Sequence, residues 1–289
     1  MTLPRFTTSQ IGSTGFDEAW HRDGAVIVEG FWGPEDLARA RSQATALRAA
    51  CAEAAPASIF DAHGQDHGND AWFRDSGGEI RAFFEPETPP GLVGEARARW
   101  VNKLGHALHD RDPVFSALLR SRAVAVLAHA LGRPEGRMVQ SMLIFKQPEI
   151  GGEVRWHQDA SYLRSTPQRV AGLWLALEDA DRDNGCLWMV PGAHRGPLRE
   201  RYAVDWSTRE GTLVTTDPTP WPEDEAVPLE VPAGSLVVFH DHMPHRSDLN
   251  RSARSRVALT LHAHDRSAEW SADNWLQRGE LEPFVLGGR

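Results

Sequence analysis

The chain has 289 residues, 41% of them hydrophobic, with a net charge of −9 and a pI of about 5.8. That length suits one large β-domain or two small domains. The acidic balance argues against nucleic acid or an anionic membrane surface as a general partner, since both select basic surfaces, and no stretch reaches the roughly 18 apolar residues of a membrane span.

The first residues, Met1 to Phe6, lack the basic and apolar regions of a secretory signal. Cys51 and Cys186 offer no disulfide framework. The expected location is the cytoplasm, and a monomer is compatible with the sequence. After an irregular tail to about Gly15, Phe16–His21 reads as helix and Gly24–Gly30 as a short strand. Pro34 opens a helix that runs to about Ala54. Its Leu37, Ala40, Ala44 and Leu47 recur every three to four residues, as on an amphipathic helix bracing a sheet.

Residues 56–90 are rich in Gly, Asp and His and break the helical pattern. His63 and His67 read there as solvated loop residues, and Glu79–Glu85 as a strand. The next stretch, 91–131, reads as helical, with Lys103 on its first helix and with His106 and His109 in packing or surface roles. From Met138 onward the pattern turns strand-rich. Strands are expected at Met138–Lys146, Val154–His157, Val170–Leu177, Leu187–Val190, Gly234–Phe239 and Arg256–Ala263, separated by Pro/Gly turns. A looser insertion is expected at 205–226. The segment from Trp270 to Leu286 is expected to pack back on the helices.

Two stretches carry chemistry. The first, Glu153 to Leu163, holds the pair His157 and Asp159. Residues i and i+2 of a strand share a face, so such a pair at a strand end can offer a nitrogen and an oxygen to one ion. With one more histidine it forms a two-His-one-carboxylate facial triad, which leaves positions of Fe(II) open. In the second stretch, His240, His242 and His245 compete for that third place. His245 is preferred because Ser247 lies two residues beyond it, the turn-forming Asn250-Arg251-Ser252 comes next, and Arg256 then opens an apolar strand. The planar fork of an arginine suits the far carboxylate of a dicarboxylate that chelates the iron. Arg254 reads as a solvated charge. Lysine occurs only at Lys103 and Lys146 among 31 basic residues.

His157-x-Asp159, His245 and Arg256 resemble the phytanoyl-CoA dioxygenase family of Fe(II)/2-oxoglutarate oxygenases. Asn102 to His109, Val139 to Pro148, Gly151 to Val154, Ala176 to Ala180, Asn184 to Trp188 and Asn274 to Gln277 are similar to its domain-containing subgroup. The resemblance runs from about Gly24 to about Pro283. It implies a double-stranded β-helix, a cupin-like jelly roll, of about 138–265 within a single domain, braced by a helix-rich 1–135. It also implies Fe(II), 2-oxoglutarate and O2 as cofactor and cosubstrates. His157, Asp159 and His245 are the implied iron ligands. Arg256 and Ser247 would hold the distal carboxylate, with Lys103, Met142 and Trp174 lining the pocket. Lys146 is expected in a structural role, and His194 likewise. The implied activity is hydroxylation of a small molecule, with succinate and CO2 formed. Two rivals are a cupin-type metalloenzyme without oxygen chemistry and a non-catalytic jelly-roll binding protein. A halogenase is disfavoured because Asp159 fills the halide position.

Overall fold

The computed structural model describes residues 2–56, 58–59, 70–133, 136–279 and 284–286. In chain order the strands are β1 (Arg5–Thr7), β2 (Ala25–Glu29), β3 (Ile80–Phe84), β4 (Val101–His106), β5 (Arg137–Lys146), β6 (Val154–His157), β7 (Ser165–Thr166), β8 (Val170–Ala176) and β9 (Leu187–Met189). They continue as β10 (Glu200–Asp205), β11 (Glu210–Thr215), β12 (Val227–Leu229), β13 (Leu236–His240), β14 (His245–Ser247), β15 (Arg256–His264), β16 (Glu269–Trp270) and β17 (Phe284–Val285). The helices are α1 (Thr14–Asp23), α2 (Pro34–Ala54), α3 (Ala71–Arg74), α4 (Gly94–Ala98), α5 (Leu108–Arg111), α6 (Pro113–Leu119) and α7 (Arg122–Ala130).

A large sheet in the order β1-β2-β13-β8-β15-β5-β4-β3 faces a small sheet in the order β12-β9-β14-β6. This is the mainly β jelly roll expected from the sequence. Along β15 the side chains alternate between two environments, as strand geometry demands. Leu259 and Leu261 join a core shared with Leu37, Ala40 and Ala44 of α2 and with Phe115 and Leu127 of α6 and α7. Ala258 turns to the opposite face, where it packs with Trp174, Leu187, Met189 and Met243 between the sheets. The helices therefore cover the outside of the large sheet, and its inner face is left to line the site.

Two expectations are corrected. The tail to about Gly15 is not irregular: Arg5–Thr7 form β1, parallel to β2, and α1 starts at Thr14. Residues 101–106 form strand β4, not helix, and Lys103 lies on that strand. β4 is inserted between β3 and β5, with Lys103 opposite Ile144 and Gly105 opposite Met142. Every residue of β4 is buried. Asn, Lys, Gly and His are poor strand formers by themselves. Here the pairing on both edges decides, and Gly105 is needed because a Cβ there would come within 3.1 Å of Met142 Cγ. The N-terminal region is thus helix-rich but also supplies β1–β4 to the large sheet.

The insertion 205–226 is partly a hairpin. β10 and β11 pair antiparallel from Glu200↔Thr215 to Asp205↔Glu210. The C-terminal segment divides. Phe284 and Leu286 pack with the helices, whereas Trp275 packs with Phe73, Leu163 and Tyr202. His63 and His67 lie outside the described residues. No helix among the described residues is long and apolar enough to cross a membrane.

Candidate active site

β6 and β14 are antiparallel neighbours in the small sheet, and their register sets His157 opposite His245. Asp159 follows β6 in a short 3-10 turn, where its backbone leaves the strand and its carboxylate turns back between the sheets. His157 Nε2 is 3.8 Å from Asp159 Oδ1, and His245 Nε2 is 3.7 Å from the same oxygen. The three donor atoms lie within 4.8 Å of one another.

The unused imidazole nitrogens are tied to the backbone. His157 Nδ1 donates to the Arg155 carbonyl at 2.8 Å and His245 Nδ1 to the Met243 carbonyl at 2.9 Å. A carbonyl only accepts, so both protons sit on Nδ1 and both Nε2 lone pairs face the shared centre. Burial, with His157 alongside, pulls the His245 imidazole down to about 4, so it is neutral at ordinary pH. Burial acts to raise the Asp159 carboxyl, but the facing His262, His245 and His157 outweigh it and hold it well below the usual carboxylate range.

The rival histidines are elsewhere. His240 Nδ1 lies 2.9 Å from Asp241 Oδ1, and its ring packs near Trp20 and His194. His242 lines a separate surface cleft with Arg164, Gln168 and Arg201. His194 fills space against Gly24, where a Cβ would collide with its ring at 2.1 Å.

On the large sheet the inward face is built row by row. Gly105, Met142, Thr260 and Trp174 are successive partners across β4, β5, β15 and β8. Lys103 and Arg256 sit two and four residues from that row, on the same face. Arg256 is 1% exposed, and its guanidinium carbon is 5.4 Å from the Trp174 ring. Its Nε donates to the Gly185 carbonyl at 3.2 Å, while its buried Nη1 has no hydrogen-bond partner. None of the ion pairs among the described residues involves it, and burial pulls it down to about 10. Arg254, by contrast, is exposed and pairs with Asp181 at 2.5 Å.

Ser247 is buried two residues beyond His245. Burial also pulls the Lys103 ammonium well below its usual value, with Phe73 and Phe83 ring centroids 5.2 and 5.6 Å from Nζ. Lys146 serves the fold: its Nζ donates to the carbonyls of Gly152 and, at 2.8 Å, Asp248.

Two residues of the site went unread in the sequence. His262 Nε2 lies 3.0 Å from Asp159 Oδ2. Gly172 sits beside it in register, and a Cβ there would meet Asp159 Oδ2 at 2.9 Å. Strand alternation from Arg256 would have placed His262 on the inner face, but no short motif links it to Asp159.

Two imidazoles and a carboxylate oxygen around one centre fit an octahedral divalent metal with open positions, the facial triad of non-haem iron. A buried arginine with an unsatisfied donor fits a carboxylate. The fold and this donor set define a jelly-roll metal-dependent oxygenase.

Comparison with known proteins agrees. The family model described as phytanoyl-CoA dioxygenase (PhyH) matches residues 20–258. The chain is 36% identical over 273 residues to a phytanoyl-CoA dioxygenase of Arabidopsis thaliana, covering 92% of this chain and 94% of that protein. It is 42% identical over 227 residues to phytanoyl-CoA dioxygenase domain-containing protein 1 of Mus musculus, covering 76% and 77%. Among solved structures, the non-haem α-ketoglutarate-dependent carbocyclase SnoK superposes with a TM-score of 0.65 at 17% identity, over 99% of this chain and 97% of that one. EctD from S. alaskensis with bound Fe gives a TM-score of 0.66 at 19% identity, over 95% and 86%. The chain belongs to the phytanoyl-CoA dioxygenase family of Fe(II)/2-oxoglutarate oxygenases, and it is an Fe(II)/2-oxoglutarate-dependent dioxygenase.

Proposed function

We propose that the chain hydroxylates a small molecule, with His157, Asp159 and His245 holding Fe(II) and Arg256 holding the distal carboxylate of 2-oxoglutarate. The observation that carries this reading is the pairing of a three-donor centre with a buried arginine that has no anion of its own. Bound iron supplies oxygen activation coupled to decarboxylation of 2-oxoglutarate to succinate. The protein's share is orientation and exclusion of water. Both Nε2 lone pairs are fixed toward the metal by the backbone carbonyls of Arg155 and Met243. Ser247 and Lys103 complete the cosubstrate pocket, and Met142 and Trp174 form its apolar wall. Tyr162, whose ring centroid is 6.5 Å from that of His157, and Tyr202 at 5.9 Å from Tyr162 wall the substrate side.

We propose the cytoplasm as its location, a compartment where Fe(II) stays reduced. A metal-dependent isomerase or hydrolase would use the triad but gives Arg256 no ligand. Turnover of 2-oxoglutarate with Fe(II) and O2 against a metabolite library, followed by mass spectrometry, tests the reading. A product that gains one oxygen atom, with matching succinate, is expected. A product formed without 2-oxoglutarate consumption would sink it.

A further inference from the structure

We infer that His262 is a positioning residue that holds Asp159 in one-oxygen coordination. The inference rests on the reading of Asp159 as an iron ligand.

The two carboxylate oxygens of Asp159 face different partners. Oδ1 is the atom near both ligand imidazoles, 3.8 Å from His157 Nε2 and 3.7 Å from His245 Nε2. Oδ2 turns the other way, toward His262 Nε2 at 3.0 Å. His262 is buried on the inner face of β15, and its Nδ1 is buried without a hydrogen-bond partner. Its closest polar contact among the described residues is therefore the carboxylate of a ligand. Its Nε2 stands 3.0 Å from a buried carboxylate oxygen that has no other hydrogen-bond partner.

The neighbouring strands make room for that arrangement. Across the large sheet, Gln140, His262, Gly172 and Phe239 stand in one row. Gly172 leaves a notch in the row: a Cβ there would meet the Phe239 ring at 2.4 Å and Asp159 Oδ2 at 2.9 Å. The carboxylate enters this notch from the small-sheet side and meets His262 at its edge. Phe239 in turn packs 4.7 Å from the His245 ring, centroid to centroid, which closes the space behind the ligands.

The chemical consequence is a choice of coordination mode. A free carboxylate can bind a metal through both oxygens and would then occupy an extra position. With its proton on Nε2, His262 would donate to Oδ2 and reserve that oxygen, so that Asp159 would offer a bound metal Oδ1 alone and leave room for the 2-oxo-carboxylate and O2. Partners of metal ligands commonly govern affinity as well, by 10–100-fold.

The test compares His262→Leu, which keeps bulk without a donor, with His262→Gln, which keeps an N–H. Anaerobic Fe(II) titration is read alongside the charge-transfer absorption of the Fe(II)·2-oxoglutarate complex. The expected result for His262→Leu is Fe(II) binding weakened about 10–100-fold with an altered absorption band, and for His262→Gln recovery of most of both. Asp159→Ala separates the ligand reading from the positioning role. If it retains tight Fe(II), the ligand reading fails. If it loses Fe(II) while folded His262→Leu binds as the parent does with the same band, the positioning role fails alone. Thermal melting of the apoproteins checks folding. Should His262→Leu not fold, His262→Met is read the same way, and if only His262→Gln folds, the histidine serves the fold and the proposal falls.

Discussion

His157 and His245 are opposite one another on antiparallel strands, with ring centroids 4.1 Å apart. The register of β6 against β14 therefore builds two-thirds of the metal centre before any ion is present. Because each imidazole is already oriented through its Nδ1, the ordering cost of assembling the ligands is met by the fold.

Replacement of His157, Asp159 or His245 by Ala should abolish tight Fe(II) binding while leaving the fold intact. The same change at His240 or His242 should leave Fe(II) binding within a small factor of the parent, since neither shares the centre. Anaerobic Fe(II) titration with circular dichroism as the folding control decides it. Loss of iron from His242→Ala with retention in His245→Ala would reassign the third ligand.

Much of this site was legible from residue order. His157 and Asp159 sit two apart at a strand end, and His245 and Arg256 flank a readable turn. The central strands of the large sheet were legible too, because β5, β8, β13 and β15 are apolar runs bounded by turns. β4 was not, because Asn102, Lys103, Gly105 and His106 carry no strand signal and become strand only through pairing with β3 and β5. His262 was hidden for a different reason: its contact with Asp159 is made across the barrel, between sheets, where sequence spacing carries no information.

Arg256→Ala should raise the 2-oxoglutarate KM by 100-fold or more, on the order of 3 kcal/mol, the cost of stripping a buried charge of its partner. Arg254→Ala removes an exposed ion pair with Asp181 and should cost less than about 1 kcal/mol. Lys103→Ala should fall between, since an ammonium lacks the guanidinium's fork. A further consequence is measurable without turnover. The apoprotein carries Arg256 with an unsatisfied Nη1, so 2-oxoglutarate should raise the parent's Tm, and the rise should shrink in Arg256→Met. Equal KM effects at 254 and 256 would overturn the assignment.

Gly172→Ala should be far more damaging than a methyl group suggests. The added Cβ meets the Phe239 ring at 2.4 Å and Asp159 Oδ2 at 2.9 Å, so both must shift to admit it. Overpacking of this kind costs about 1–3 kcal/mol of stability. Because one of the two clashes is with a ligand, Fe(II) affinity should fall as well. A variant with parental Tm and parental Fe(II) affinity would show that the notch is not required.

Acidification should destabilise the metal-free protein in a defined window. Burial pulls the imidazoles of His106 and His109 well below the ordinary histidine value, which is about 6.5. Below that pH the unfolded chain takes up protons that the folded chain refuses. Stability is thus full above about pH 6.5 and lost as pH falls, by up to about 1.4 kcal/mol per pH unit for each histidine. His106 is enclosed by Phe73, Phe83 and Trp275, and its Nδ1 meets Ser76 Oγ at 2.7 Å. In EDTA, the drop in Tm between pH 7.5 and 5.5 should therefore be smaller for His106→Phe than for the parent, whatever their difference at pH 7.5. An unchanged drop would remove His106 from the account.

The substrate is expected to be a small molecule other than a CoA thioester, although the curated relatives carry phytanoyl-CoA in their names. A CoA site must bind a pyrophosphate and a 3′-phosphate, which calls for converging cations or a helix N-terminus behind a Gly-rich loop. The stretch Asp61 to Asp70 holds three Asp and no Lys or Arg; apart from Asp70 it lies outside the described residues. Several cations described near this end of the barrel are committed to the protein itself. Arg81 donates to the Trp72 carbonyl at 2.8 Å and covers the Trp72 ring. Arg74 donates to the Arg209 carbonyl at 3.0 Å, Arg209 pairs with Asp75, and Arg201 pairs with Asp273 at 2.5 Å. Releasing them for a phosphate would break those contacts. Acyl-CoA thioesters, phytanoyl-CoA among them, should therefore give 2-oxoglutarate consumption no faster than the substrate-free rate, when compared with free acids and other metabolites by product mass and succinate yield. Saturable hydroxylation of an acyl-CoA, coupled one-to-one to succinate, would overturn the expectation.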